Sequence, residues 1–302
     1  MMPPEFAPAT TSPRNPSPVP GSTLRARVIA VANQKGGVGK TTTAINLGAA
    51  LALAGHPTLL VDVDPQGNAT SGLGLKGTIP RGGTIYQALT SDSRSADDFI
   101  LDSAIEKLQV IPATRDLAGA EVELISLEQR DRRLRDLLDP LRARYRFILI
   151  DCPPSLGLLT LNALVACDAV LIPLHCEYFA LEGLADLIAT LRRVRAALNP
   201  SLDVEGVLLT MNDERTNLGQ QVARDVREHF KDKVYRTVIP RNVRLAEAPS
   251  HGMPAVTYDA RSRGAEAYVA LAHELLERHG LTRDDGAGAR VRDETRAARD
   301  EE

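Results

Sequence analysis

The stretch Val28-Ile29-Ala30-Val31-Ala32-Asn33-Gln34-Lys35-Gly36-Gly37-Val38-Gly39-Lys40-Thr41-Thr42 decides how the rest of the chain is read. Five apolar residues form a strand, the glycines at 36, 37 and 39 form a loop, and a threonine-rich turn opens a helix carrying Ile45, Leu47, Leu51 and Leu53. A strand, a glycine loop and a helix in that order are what a phosphate-binding loop requires. Glycines let successive backbone N–H groups turn inward around a phosphate chain, and the helix N-terminus adds a dipole favourable to anions. In such a loop Gly36, Gly37, Val38, Gly39, Lys40, Thr41 and Thr42 surround the nucleotide. Lys40 reaches the β and γ phosphates and Thr41 offers its hydroxyl to Mg²⁺. The strict pattern G-x-x-x-x-G-K-[ST] fails at one place, because Gln34 stands where its first glycine belongs, with a second lysine, Lys35, beside it.

Outward from this loop the alternation continues. Apolar, β-rich runs at 28–32, 58–63, 108–111, 147–150, 169–172 and 204–209 are separated by helical patterns, the first over 41–54. Nearly continuous apolar strands divided by helices belong to a parallel sheet covered on both faces. The expected fold class is therefore α/β, a doubly wound and mostly parallel sheet. Seven prolines among Ser, Thr and Ala before residue 21 cannot bury enough apolar surface to offset their ordering entropy, which makes 1–23 an expected disordered tail. The mixture of Arg, Asp and Glu over 281–302 reads as a second, charged and flexible tail, leaving 24–280 as the folded domain.

Composition narrows the function. The chain has 36 Lys+Arg against 39 Asp+Glu, which excludes a protein that coats nucleic acid by bulk charge and leaves only a local basic patch. Aromatic residues make up 4% and Trp is absent, which argues against base-stacking platforms. With no apolar run of about 18 residues and no basic-then-apolar leader, neither a membrane span nor secretion is expected, and a cytoplasmic location follows. Cys152, Cys167 and Cys176 lack C-x-x-C spacing and read as reduced thiols rather than metal ligands.

Two acidic strand ends complete the candidate site. Leu59-Leu60-Val61-Asp62-Val63-Asp64-Pro65 closes one strand with carboxylates at its C-terminal edge, where open parallel sheets bind ligands. Asp62 and Asp64 share one side by alternation, and Asp64 lies nearer the end. Asp62 is either a helper of the chemistry or an acid capping the next turn. Phe147-Ile148-Leu149-Ile150-Asp151 has the form of a Walker B strand, four apolar residues and then an acid able to hold Mg²⁺. Cys152 has no histidine nearby to activate it and reads as a small packing residue.

With Lys35 included the loop is K-G-G-x-G-K-[ST], and it resembles the deviant Walker A loop of the ParA/MinD/NifH group of P-loop ATPases. From about residue 28 to 276 the chain is similar to chromosomal ParA (Soj-type) partition ATPases. The similarity is carried by PQGNATSGLG at 65–74, IPATRDLAGAEVEL at 111–124, DCPPSLGLLTLN at 151–162, EYFALEG at 177–183 and VIPRNVRLAEAPSHG at 238–252. The resemblance implies a P-loop ATPase fold, ATP and Mg²⁺ as cofactors, and an ATP-dependent sandwich homodimer. In that dimer Lys35 touches the phosphates bound by the other subunit, the logic of an arginine finger. It implies that Asp64 orients or activates the attacking water, so that Lys35, Lys40 and Asp64 are the catalytic set. Thr41, Asp64 and Asp151 are the metal side, and Met211, Asn212, Pro240 and Asn242 frame adenine and ribose.

Basic residues gather in the C-terminal half: Arg192, Arg193 and Arg195; Arg215; Arg224, Arg227 and Lys231; Arg241 and Arg244. Taken alone, a run such as Arg224, Arg227 and Lys231 at helical spacing is a solvated helix face. The resemblance implies instead that Arg192, Arg193, Arg215, Arg224, Arg227, Arg241 and Arg244 bind double-stranded DNA without sequence preference, which places the protein on the nucleoid. It also implies a ParB-type centromere-binding protein as the partner that stimulates hydrolysis. Leu181, Leu184, Leu187, Ile188 and Leu191 read as core positions of the helix after EYFALEG, in preference to a partner groove. The competing readings are a MinD-like membrane-cycling regulator, disfavoured because the tail after Gly280 lacks an amphipathic pattern, and a NifH-like cluster carrier, disfavoured by the cysteine positions.

Overall fold

The computed structural model describes residues 25–91, 95–177, 180–212 and 217–282. Seven strands, β1 (Arg27–Val31), β2 (Thr58–Asp62), β3 (Leu101–Asp102), β4 (Leu108–Ile111), β5 (Phe147–Asp151), β6 (Ala169–His175) and β7 (Asp203–Thr210), form one sheet in the order β3-β4-β2-β5-β1-β6-β7. All neighbouring pairs are parallel except β3 with β4.

The apolar runs are continuous because both faces are covered, and alternation divides each run between two cores. Val28 and Ala30 of β1, Leu59 and Val61 of β2, and Ile148 and Ile150 of β5 pack on one face. Ile29, Val31, Leu60, Phe147 and Leu149 pack on the other. Each such side chain, fully withdrawn from water, contributes about 1.5–3 kcal/mol. Helices Lys40–Leu53 and Arg263–Arg278 cover the second face, while Leu158–Ala166 and Ala180–Ala197 supply the first. Leu184, Leu187, Ile188 and Leu191 are buried and Leu181 packs against them, as their spacing predicts.

Two departures from the sequence reading have physical causes. The antiparallel β3 is two partly exposed residues long and carries no periodic signal. β6 runs three residues beyond 172, through Pro173. β1 stops pairing with β6 at Leu171, so the missing Pro173 N–H falls where that side of the ladder has already ended. The Asn33 side chain takes over there, its Nδ2 donating to the Pro173 carbonyl at 2.8 Å. Register then assembles the site: Val31 and Asp62 both pair with Asp151, which brings three strand ends to one spot.

Candidate nucleotide-binding site

The phosphate loop is held open by backbone geometry that needs glycine. Gly37 and Gly39 adopt φ of 73° and 87°, in the left-handed region, and Gly39 caps the helix Lys40–Leu53. Two contacts fix the loop, one local and one from a distant strand, and neither was foreseen from the sequence. Asn33 Oδ1 accepts the Lys35 N–H at 3.0 Å, and the Thr210 hydroxyl, at the end of β7, donates to the Val38 carbonyl at 2.9 Å. Thr210 ends its strand with a polar group after an apolar run, as Asp62 and Asp151 do. That shared pattern was the available signal.

The two lysines of the loop face different tasks. Lys40 is 7% exposed and its Nζ donates to the Lys35 carbonyl at 3.0 Å, which stations the ammonium inside the loop. Burial lowers its pKa, and the charges of Asp151, Cys152 and Asp64 oppose that fall. Lys35 instead pairs with Glu177, whose other oxygen lies 2.7 Å from His175 Nδ1.

Opposite Lys40 stand the three carboxylates. Asp62 is fully buried; its Oδ1 accepts the Asp64 N–H at 3.2 Å, and its Oδ2 accepts the Thr70 N–H and hydroxyl at 2.8 and 2.7 Å. The same Thr70 hydroxyl accepts the Ala113 N–H at 3.0 Å. Asp62 is thus a brace for the turn after β2, which resolves its two sequence readings. Burial pushes its carboxyl up to about 6, against the hydrogen bonds of Thr70 and Asp64. Asp64 is 7% exposed and its Oδ1 accepts the Gln66 N–H at 2.9 Å, fixing its orientation at the mouth of the site.

Asp151 is fully buried and neither oxygen has a hydrogen-bond partner. Burial and the neighbouring Asp62 drive its carboxyl well above the ordinary range. Asp64 adds to the rise, while the Thr41 hydroxyl and Lys40 oppose it. A buried, unpartnered carboxylate beside a threonine hydroxyl is an all-oxygen donor set suited to Mg²⁺. Cys152 next to it is buried, with its thiol raised well above normal by desolvation, and so packs rather than reacts.

Just beyond β7, Met211 has φ of 49° and Asn212 bridges to Pro240, its N–H donating to the Ile239 carbonyl at 3.2 Å. Asn212 Oδ1 is buried without a partner, a free acceptor. Asn242 is committed elsewhere, since its Oδ1 caps the helix Val243–Glu247 by accepting the Arg244 N–H at 2.9 Å.

The basic residues separate into three groups. Arg193, Arg224, Arg227 and Arg241 are exposed and Arg192 is half-buried. Arg244 is already matched by Glu247 at 2.7 Å and Asp259 at 3.2 Å. Lys231 does not continue the face of Arg224 and Arg227, because the helix ends at Phe230 and Lys231 turns to φ 46°. Arg215 lies outside the described residues.

Against known families, residues 26–204 match the model of an AAA domain. The chain is 58% identical over 250 residues to the sporulation initiation inhibitor protein Soj of Bacillus subtilis, covering 82% of this chain and 98% of the relative. It belongs to the ParA/Soj family of chromosome-partitioning ATPases. The Myxococcus xanthus chromosome partitioning protein ParA is 58% identical over 252 residues, covering 83% of this chain and 88% of that one. Among solved structures, the Mycobacterium smegmatis cobyrinic acid a,c-diamide synthase with bound ATP analogue and magnesium superposes with a TM-score of 0.69 at 37% identity, covering 82% and 93% of the two chains. The Pyrococcus horikoshii septum site-determining protein MinD with Mg-ADP gives a TM-score of 0.69 at 28% identity, covering 83% and 96%. The expected α/β P-loop ATPase fold is therefore the fold of this ParA/Soj family member. Among the described residues no helix is long and apolar enough to cross a membrane.

A stability prediction follows from Asp151. The folded state raises its pKa, so the folded chain holds a proton that the unfolded chain has released, and stability falls as pH rises above the unfolded value near 4. Asp151→Asn removes this opposition. In thermal unfolding without nucleotide or Mg²⁺ at neutral pH, the variant is expected to melt at a higher temperature than the wild type, because asparagine needs no proton to enter the site. A lower melting temperature would show that the carboxylate is satisfied in the apo protein.

Proposed function

We propose that this ParA/Soj ATPase is an ATP-gated dimer that binds DNA without sequence preference and releases it on hydrolysis. The observation that carries this reading is the division of labour between the two loop lysines. Lys40 is enclosed by its own loop, whereas the Lys35 side chain is 40% exposed and lies on Glu177, leaving it the cation able to serve a second subunit. Hydrolysis then needs charge neutralisation and a placed water. Lys40 and the partner's Lys35 face the charge that builds on the transferred phosphoryl group. Asp64, held by the Gln66 N–H, orients the attacking water and takes its proton. Thr41 and Asp151 would hold Mg²⁺, which when bound would neutralise phosphate charge. Asp64 would serve the metal side through water rather than as a direct ligand. Met211, Asn212 and Pro240 would receive the adenine and ribose, with Asn242 contributing through the groups its cap leaves free.

The DNA surface consists of Arg192, Arg193, Arg224, Arg227 and Arg241, with Arg215, on the 24–280 domain. Arg244 contributes less because its guanidinium is matched within the subunit. Dimerisation presents the patch twice on one body, which supplies avidity and makes binding depend on ATP. A ParB-type partner that accelerates hydrolysis would end the bound state. The reading is tested by the double variant Arg224→Ala with Arg227→Ala, assayed on two unrelated DNA duplexes across a salt series. Loss of affinity should be equal on both duplexes, and the slope of log K against log salt should shrink by about one per phosphate contact removed. Unchanged affinity would remove this helix from the DNA surface.

A further inference from the structure

Glu177 carries more than the Lys35 contact. Its Oε2 pairs with Lys35 Nζ, while its Oε1 lies 2.7 Å from Nδ1 of His175, the last residue of β6. The Lys35 bond holds the Glu177 carboxyl below its ordinary range against desolvation, and the charges of His175 and Arg241 act in the same direction as Lys35. The groups facing this carboxylate are therefore Lys35 from the phosphate loop, His175 from β6 and Arg241 from the segment after Pro240. Lys40 is engaged with the Lys35 carbonyl instead. One carboxylate is shared by three cations whenever His175 is protonated, and by two when it is neutral.

Resting on the reading of Lys35 as the residue that crosses to a second subunit, we propose that Glu177 and His175 are positioning residues: Glu177 docks Lys35 on its own subunit, and the protonation state of His175 sets how firmly. A neutral His175 draws less on the carboxylate charge and leaves more of it to Lys35. A protonated His175 competes for that charge and places a like charge beside Lys35, so docking loosens when His175 takes up a proton as pH falls. Lys35 and Glu177 side chains are 40% and 45% exposed, so the pair has the strength of a surface ion pair. That sets the expected effect at about 1.5- to 5-fold. Docking of this kind would act before dimerisation, as a cost each subunit meets when it gives Lys35 to its neighbour. Low pH would lower that cost.

The test reads Lys35 directly in the nucleotide-free full chain. Brief amine acylation followed by mass spectrometry gives the labelling ratio of Lys35 to the exposed Lys76, a ratio that cancels the general pH dependence of lysine reactivity. In the wild type the ratio should rise about 1.5- to 5-fold between pH 8 and pH 6. His175→Gln, which keeps a hydrogen-bonding side chain but cannot titrate, should be flat. Glu177→Gln should label at the high ratio at both pH values, and Glu177→Asp, which keeps the charge, should retain the wild-type trend. A flat wild-type ratio, or an unchanged trend in His175→Gln, overturns the proposal. Sedimentation with a non-hydrolysable ATP analogue and Mg²⁺ separates this from the underlying reading. Glu177→Gln should dimerise at a protein concentration lower by the square of that factor, about 2- to 25-fold, because both subunits must release Lys35, and the shift should vanish when Lys35→Ala is added. If labelling behaves as expected while no variant dimerises, docking stands and the crossing role of Lys35 falls.

Discussion

Asp64→Ala is expected to bind ATP, form the dimer and then hydrolyse about 10²- to 10⁴-fold more slowly than the wild type, the range for loss of a positioned base. The side chain touches none of the loop groups that cradle phosphate. It accepts the Gln66 N–H, and the turn it belongs to is independently braced by Asp62 and Thr70. Binding and chemistry should therefore separate. Asp64→Asn is the sharper variant, because its amide oxygen can still accept from Gln66 while the base is gone. Both should accumulate as ATP-bound dimers in sedimentation and show little product in single-turnover hydrolysis. Near-normal turnover in Asp64→Asn would pass the water-positioning role to another group.

Lys35→Ala should abolish dimerisation and spare nucleotide binding by the monomer. The loop uses only the backbone of residue 35, whose carbonyl accepts Lys40 Nζ and whose N–H donates to Asn33, and alanine keeps both. What is lost is a charged contact to phosphate, made twice in a symmetric dimer. At about 1.5–3 kcal/mol for each hydrogen bond to a charged group, the pair amounts to about 3–6 kcal/mol. The dimer dissociation constant should then rise about 10²- to 10⁴-fold. Isothermal titration with a non-hydrolysable ATP analogue, alongside sedimentation of the same samples, checks both halves. An ATP-bound Lys35→Ala dimer as stable as wild type would contradict the crossing role.

The parts of this molecule that were legible in the sequence share a property: their signal is local. The six parallel strands are continuous apolar runs, and the phosphate loop is one contiguous motif. Asp62, Asp64 and Asp151 announce themselves by ending apolar strands. What was not legible depends on register between distant segments. Thr210 reaches Val38 across 172 positions and Asn33 reaches Pro173 across 140, so neither contact exists until β1, β6 and β7 lie side by side. Glu177 was in view as part of EYFALEG, but its pairing with Lys35 spans 142 positions and needs β6 to extend to His175. Asn242 also caps a five-residue helix, a local role that its position before Val243-Arg244 could have suggested. The pairing of Arg244 with Asp259 was not legible because that partner comes from a segment fifteen residues on.

The central claim is that nucleotide state gates a phosphate-binding surface. The measurement that tests it most directly is binding of an arbitrary DNA duplex to the full chain with ATP, with ADP and without nucleotide, across a salt series. The account predicts tight binding only with ATP, indifferent to sequence and weakening steeply as salt rises. Equal binding in all three states, or none in any, would contradict it while leaving the ATPase site in place.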